Sequence, residues 1–290
     1  LEEQFPEFRT PDSPTQRGGD EHIDEFETVD HIVRMLSIDN TYNEDELRDF
    51  DDRVGRWLED GEEWNYVVEP KIDGVAVNLV YRDGSLDRAI TRGNGRQGDD
   101  VTHNAKTIHS LPLQLGVGSD GRQEDLDGSV LEIRGEIYMS YRAFERVNRE
   151  RDKRGENQFA NPRNATAGSL KLLDPKIAAR RGLGLFTYEL GAVEGIDMPD
   201  LHEDVLAWLQ EMGCPVNSAV AVCDDIGGVI DTCLTWEKQA NEWDYPVDGA
   251  VVKVNSREQR RRLGETSKAP RWMITYKFAE EEEITTVREI

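Results

Sequence analysis

Residues 67 to 84 read VVEPKIDGVAVNLVYRDG, and no other stretch limits the fold as strongly. A strand has a side-chain period of two, so alternation puts Glu69, Lys71 and Asp73 on one face. The apolar run that continues from Val75 and closes at Tyr81 belongs to a core. Three charged groups beside the start of a core strand need partners, because an unpaired buried charge is costly. A lysine held between carboxylates acts as a nucleophile only after losing its proton. Here that requires a cation, a metal or a second lysine to oppose the carboxylates. A structural ion cluster is the competing reading of the same residues.

The remaining strands are short: 64–69, 75–81, 86–92, 130–139, 184–190, 249–255 and 273–278. Helices are expected in EDELRDFDDRVGRWLEDG, capped by Asn43 or Thr41, around SYRAFERVNRERDKRG, and over 201–212 with a stop at Gly213. Hairpin-like strands with inserted helices predict an α+β fold of antiparallel sheets, not a doubly wound parallel one. Residues 1–19, with Pro6, Pro11, Pro14 and Gly18-Gly19, read as an extended connector.

No window approaches 18 uninterrupted apolar residues, so no membrane-spanning helix is expected. Cys214, Cys223 and Cys233 suit neither a zinc knuckle nor a disulfide framework and read as small apolar residues in a reducing, cytoplasmic setting. The 290 residues carry 35 basic and 59 acidic side chains, a net charge of −24. That surface repels nucleic acid in dilute salt, so either there is no such partner or the chain is adapted to concentrated salt. A nucleic-acid face would have to be local, and REQRRR at 257–262 with Arg149, Arg151, Lys153 and Arg154 are the candidates.

Further segments suggest chemistry. AITRGNGRQGDDVT (89–102) sets Arg92 before Gly93, Gly95 and Gly98, a spacing that matches no dinucleotide or P-loop signature. VLEIRGEIYM (130–139) puts Glu132, Arg134, Glu136 and Tyr138 on one face, where one carboxylate suits a metal or a ribose hydroxyl. FANPRNATAGSLK (159–171) is a constrained loop entering a helix, suited to a phosphate contact. Lys253 and Lys277 each interrupt an apolar strand, which implies a bound polyanion or buried acidic partners.

In order, TPDSPTQRGG, MLSIDN, EPKIDG, TRGNGRQGDDVT, IRGEIYM, NPRNATAGSL, FTYELG, DGAVVKVN and APRWMITYKF resemble the adenylation (nucleotidyltransferase) domain of bacterial-type NAD-dependent DNA ligases. The resemblance runs from residue 10 to residue 278. It implies a nucleotidyltransferase (ATP-grasp-like) fold over 41–290, with 1–40 holding the connector and the start of the domain. It also implies NAD as substrate, magnesium as cofactor, and nicked double-stranded DNA as the partner of a monomeric full-length enzyme, and with DNA as partner the acidity reads as that of a halophile's protein.

The resemblance makes Lys71 the nucleophile that takes AMP from NAD and expels nicotinamide mononucleotide. Glu69 would read the adenine amino group and Tyr188 would stack on the base. Ile38 would line the pocket beside Ser37, with Ile72 also at the nucleotide. Asp73 and Arg92 would hold the ribose side, Glu136 the ribose or metal, and Lys253 and Lys277 the α-phosphate. Arg163 and Lys171 would meet DNA. Departures from the family are Lys171 for its usual arginine, Asn94 for its usual aspartate, and the missing arginine in EKQANEWDYPVDG. The family's other domains would flank this segment, so the chain is expected to bind adenosine nucleotides, to self-adenylylate poorly and not to seal nicks alone. The rival readings are an ATP-dependent lysine nucleotidyltransferase and a nucleotide-binding module without turnover.

Overall fold

A computed structural model describes residues 25–116 and 125–279. The connector expected over 1–19 lies outside the described residues. The strands are β1 (Thr28–Asp30), β2 (Asn40–Thr41), β3 (Tyr66–Ile72), β4 (Val75–Arg82), β5 (Ser85–Thr91), β6 (Gln97–Asp99), β7 (Val130–Met139), β8 (Leu183–Glu194), β9 (Ala221–Cys223), β10 (Val247–Val254) and β11 (Met273–Lys277). The helices are α1 (Glu44–Gly55), α2 (Thr102–Ala105), α3 (Tyr141–Lys153), α4 (Pro162–Leu170), α5 (Pro175–Ala179), α6 (His202–Glu211), α7 (Ile226–Gln239) and α8 (Arg257–Leu263).

Two sheets carry the fold. One has four antiparallel strands in the order β5-β4-β7-β8; the other has five, β2-β11-β10-β3-β9. The five-stranded sheet is antiparallel except for β2, which pairs with β11 in parallel, so it is mixed where a purely antiparallel one was expected. Each sheet has its own core. Val77, Leu79, Leu131 and Ile133 pack with α2, α3, α4 and α6, whereas Tyr66, Val68, Ala250, Val252 and Ile274 pack against α1 and α7.

β3 and β4 follow one another in sequence but belong to different sheets, and the chain crosses between them at Asp73-Gly74. A side-chain carbon at Gly74 would collide with the Ile137 carbonyl, so the crossing lies flush on β7. β3 also runs on through Pro70 to Ile72, past the end expected at 69. Proline gives no N–H to a ladder, and the pairing with β10 shifts register between Val247 and Ala250, beside Pro70.

α1 is capped by the Asn43 side chain, which accepts from the Glu46 N–H, and it buries Leu47, Phe50 and Val54. Trp57 falls beyond the helix, exposed, with the Arg271 guanidinium 4.7 Å from its ring centre. α4 begins at Pro162 under an Asn161 cap. The three cysteines are buried and unpaired.

Candidate active site

Between the two sheets lies a cavity of about 540 Å³, within the usual range for a small-molecule site. Ile38, Glu69, Lys71, Ile72, Arg92, Glu136, Arg163, Tyr188 and Lys253 all line it. Three other expected residues join through a neighbour. Lys277 reaches it through Asp248, Asp73 through Arg163, and Ser37 through its hydroxyl, which accepts from Arg92 at 3.1 Å. Lys171 stands apart, paired with Asp99 at 2.8 Å.

At one end, Lys71 Nζ lies 2.9 Å from Asp248 Oδ1, and Lys277 Nζ lies 2.5 Å from Oδ2 of the same carboxylate. Arg163 holds Asp73 at 2.6 Å. Glu136 is half-buried beside them. Loss of hydration lifts its pKa to about 8, against the opposing pull of Lys71, Arg163 and the Gly74 N–H.

At the other end, Glu69 Oε1 accepts from Lys253 Nζ at 2.7 Å and from His202 Nε2 at 2.8 Å. Lys253 also donates to the Tyr188 carbonyl at 2.7 Å, and its Nζ lies 5.3 Å from the centre of that ring. Arg260 binds Glu189 at 3.1 Å behind the pair. Burial opposes ionisation of Glu69 and Glu189, but the cations around them prevail and hold both carboxyls below their ordinary range. Lys253, expected at the α-phosphate, therefore sits with Glu69 and not with Lys71 and Lys277. Phe186, two residues before Tyr188 on the same face of β8, also lines the cavity and stacks on Tyr138 at 5.0 Å.

The segment 31–38 closes one wall through Met35, Leu36 and Ile38. Glu132, fully buried, holds it in place. Its carboxyl accepts from the Ile32 N–H at 2.9 Å, the Val33 N–H at 3.1 Å, the Ala192 N–H at 3.1 Å and Asn78 Nδ2 at 2.5 Å. Arg134 donates to the Val33 and Arg34 carbonyls. The ionic face of β7 thus divides its work: Glu132 and Arg134 secure the wall, and Glu136 faces the cavity. Asn94 builds the adjoining hairpin turn by accepting from the N–H groups of Arg96 and Gln97, each at 2.9 Å, between Gly93 and Gly95, which have φ of 53° and 86°. Aspartate would offer the same oxygen, which accounts for the exchange at this position.

The two basic runs are largely spent on the protein itself. Arg260 turns inward, Arg257 donates to the Pro199 carbonyl, and Arg262 pairs with Glu62. Arg151 pairs with Glu156 and covers Phe159, and Arg149 pairs with Glu145. Sequence reasoning missed Asp248, His202, Glu189, Arg260, Arg134 and Phe186 as parts of this site. Among the described residues no three acidic, histidine or cysteine side chains converge to hold a metal ion unaided.

Lysines sharing a carboxylate at one end, and an acid–lysine pair beside aromatic rings at the other, are the fittings of a nucleotide-handling domain. The family described as "NAD-dependent DNA ligase adenylation domain" matches residues 23–281, and the chain belongs to it. It is similar to the DNA ligase of Desulforamulus reducens, with 48% identity over 290 residues covering 100% of this chain and 42% of that protein. The DNA ligase of Carboxydothermus hydrogenoformans is 46% identical over the same span, covering 100% of this chain and 42% of that protein. The chain thus spans 42% of the length of these relatives. A solved structure of mycobacterial DNA ligase D complexed with ATP and MES is a distant likeness, with 13% identity and a TM-score of 0.40. It covers 73% of this chain and 54% of that one.

Proposed function

We propose that this chain performs the first step of NAD-dependent DNA ligation. Lys71 Nζ attacks the α-phosphorus of NAD, a P–N bond forms, and the P–O bond to nicotinamide mononucleotide breaks, leaving lysine–AMP. The observation that carries this reading is the sharing of Asp248 by Lys71 and Lys277 in a nucleotide-sized cavity. One carboxylate facing two ammonium groups leaves positive charge for phosphate to match. Lys71 attacks only as the free amine, and Asp248, 2.9 Å away, is placed to receive its proton. Lys277 then faces the charge that builds on the pentacoordinate phosphorus.

Adenine lies at the far end, against Tyr188 and Phe186. Glu69 accepts from its 6-amino group and Lys253 donates to N1. Ile38 and Leu36 close over the base, Arg92 reaches the ribose side, and Arg163, in its pair with Asp73, is released toward phosphate or DNA in later steps. Magnesium keeps several waters and binds through one or two carboxylates plus substrate phosphates. The carboxyls of Glu136 and Asp73 suit an ion brought in by the dinucleotide, one that screens phosphate charge. In the full-length enzyme the adenylate passes to nicked DNA, which Arg163 and Lys171 contact. The net charge of −24 suits a protein working in concentrated salt.

Intact mass measured after incubation with NAD and magnesium in molar salt tests the reading. A gain of one adenylyl group on a minor fraction of the chain, absent from Lys71→Ala, is expected. A gain that survives the substitution, or that appears with ATP and not NAD, would overturn it.

A further inference from the structure

Glu69 can read a base only if its carboxylate is held still, and the structure shows what holds it. His202 opens α6, with no part of it exposed. The Asn255 carbonyl accepts from its backbone N–H at 2.9 Å. Its Nε2 lies 2.8 Å from Glu69 Oε1, and its Nδ1 lies 3.5 Å from Arg260 Nη1. The ring is neutral, because burial together with Lys253 and Arg260 brings its pKa down to about 4. Hydrogen on Nε2 and the lone pair on Nδ1 suit Glu69 Oε1 and Arg260 Nη1, while Lys253 Nζ, 3.2 Å from the same Nε2, directs its protons to Glu69 and the Tyr188 carbonyl instead. The buried group then balances: Glu69 and Glu189 against Lys253 and Arg260, with an uncharged histidine between them.

The consequence is local. His202 and Lys253 both bind Oε1, so Glu69 is fixed from one side, and Oε2 makes no hydrogen bond among the described residues while Glu69 lines the cavity. We propose that His202 is a positioning residue for base recognition: by anchoring Glu69 Oε1 it aims Oε2 at the 6-amino group and so sets the preference for adenine over a 6-oxopurine. A 6-oxopurine presents an oxygen to Glu69 and an N1–H to Lys253, a mismatch at both contacts, and sites built on such contacts reject the wrong partner strongly. Without His202, Glu69 can swing and the penalty shrinks. This rests on the adenine reading above.

The test is calorimetric binding of AMP and of inosine monophosphate to the whole chain, its His202→Leu and His202→Gln variants, with thermal unfolding as a folding control. The unmutated chain should prefer AMP. His202→Leu should lower the AMP-to-inosine ratio at least about tenfold, the loss expected for about one hydrogen bond to a charged group. His202→Gln, whose amide offers a donor nitrogen and an acceptor oxygen, should restore most of the ratio. If His202→Leu does not fold, His202→Asn, too short to reach Glu69, should show the same loss. An unchanged ratio in a folded Leu or Asn variant, or a Gln variant no better than Leu, overturns the proposal. An unmutated chain that fails to prefer AMP overturns the adenine reading itself.

Discussion

Glu136 offers the sharpest test of the electrostatics. Its pKa rises from 4.5 to about 8 on folding, chiefly through loss of hydration. A carboxyl with a raised folded pKa binds more protons in the native state between those values, so stability falls as pH climbs from 4.5 to 8. His202 has the opposite sign. Its pKa drops from 6.5 to about 4, so the unfolded chain binds more protons between those limits and stability rises with pH there. The two slopes cancel up to pH 6.5, and Glu136 acts alone from 6.5 to 8. At about 1.36 kcal/mol per pKa unit, 1.5 units correspond to about 2 kcal/mol. Urea denaturation without nucleotide or divalent cation should therefore show a plateau up to pH 6.5 and then a loss of about 2 kcal/mol by pH 8.5. Glu136→Gln, which mimics the neutral acid, should instead gain stability up to pH 6.5 and stay level beyond. A wild-type curve level above pH 6.5, or a Gln variant that falls in parallel with it, would refute the reasoning.

Two other tests follow from the structure. Glu132→Gln puts an amide where two of the four hydrogen bonds need an acceptor. It should cost about 3 kcal/mol in denaturation and weaken AMP binding as the 31–38 wall loosens; unchanged AMP affinity would show that the wall does not shape the pocket. Raising KCl from 0.1 to 2 M shortens the screening length to a few ångströms and should raise the thermal midpoint of a chain with a charge of −24. A midpoint that stays level or drops would remove the argument for adaptation to salt.

Period-two alternation was enough to place β4, β7, β8, β10 and β11, because each has one face in a core and one in or near the cavity. α7 left no such mark. Its sequence, IGGVIDTCLTWEKQ, has two glycines in its first turn and carries β-branched residues of low helix propensity. It forms because Asp225 caps it and Val229, Ile230, Cys233 and Trp236 bury together. His202 and Arg260 were hidden for another reason. His202 lies unremarked inside the helix expected over 201–212 and Arg260 inside a basic run offered as a nucleic-acid face, and only the folded chain brings them to Glu69 and Glu189. The partners of Lys71 and Lys253 are long-range, 177 and 184 residues away in sequence, so the need for partners was legible and their identity was not.

Asp248 shows why a correct rule can still miss a residue. Along β10, Ala250, Val252 and Val254 face the core, while Val251 and Lys253 line the cavity. Strict alternation would send Asp248 into the core with Ala250. The ladder instead pairs Val247 with Ile72 and Ala250 with Pro70, so two residues of β10, Asp248 and Gly249, stand against one of β3, Lys71. That extra residue is a bulge, which re-aims the side chains next to it, and it brings Asp248 round to Lys71. The antiparallel pairing then crosses the charges: β3 supplies the acid of the Glu69–Lys253 pair and the cation of the Lys71–Asp248 pair, and β10 supplies the reverse. Glu69 and Lys71 stand two residues apart, about 7 Å along the strand, so under the proposed function the ladder itself sets the spacing between base recognition and chemistry. A slip of one residue would turn both pairs to the wrong face at once, so the proposed activity depends on the register of β3 and β10 as closely as on any single side chain.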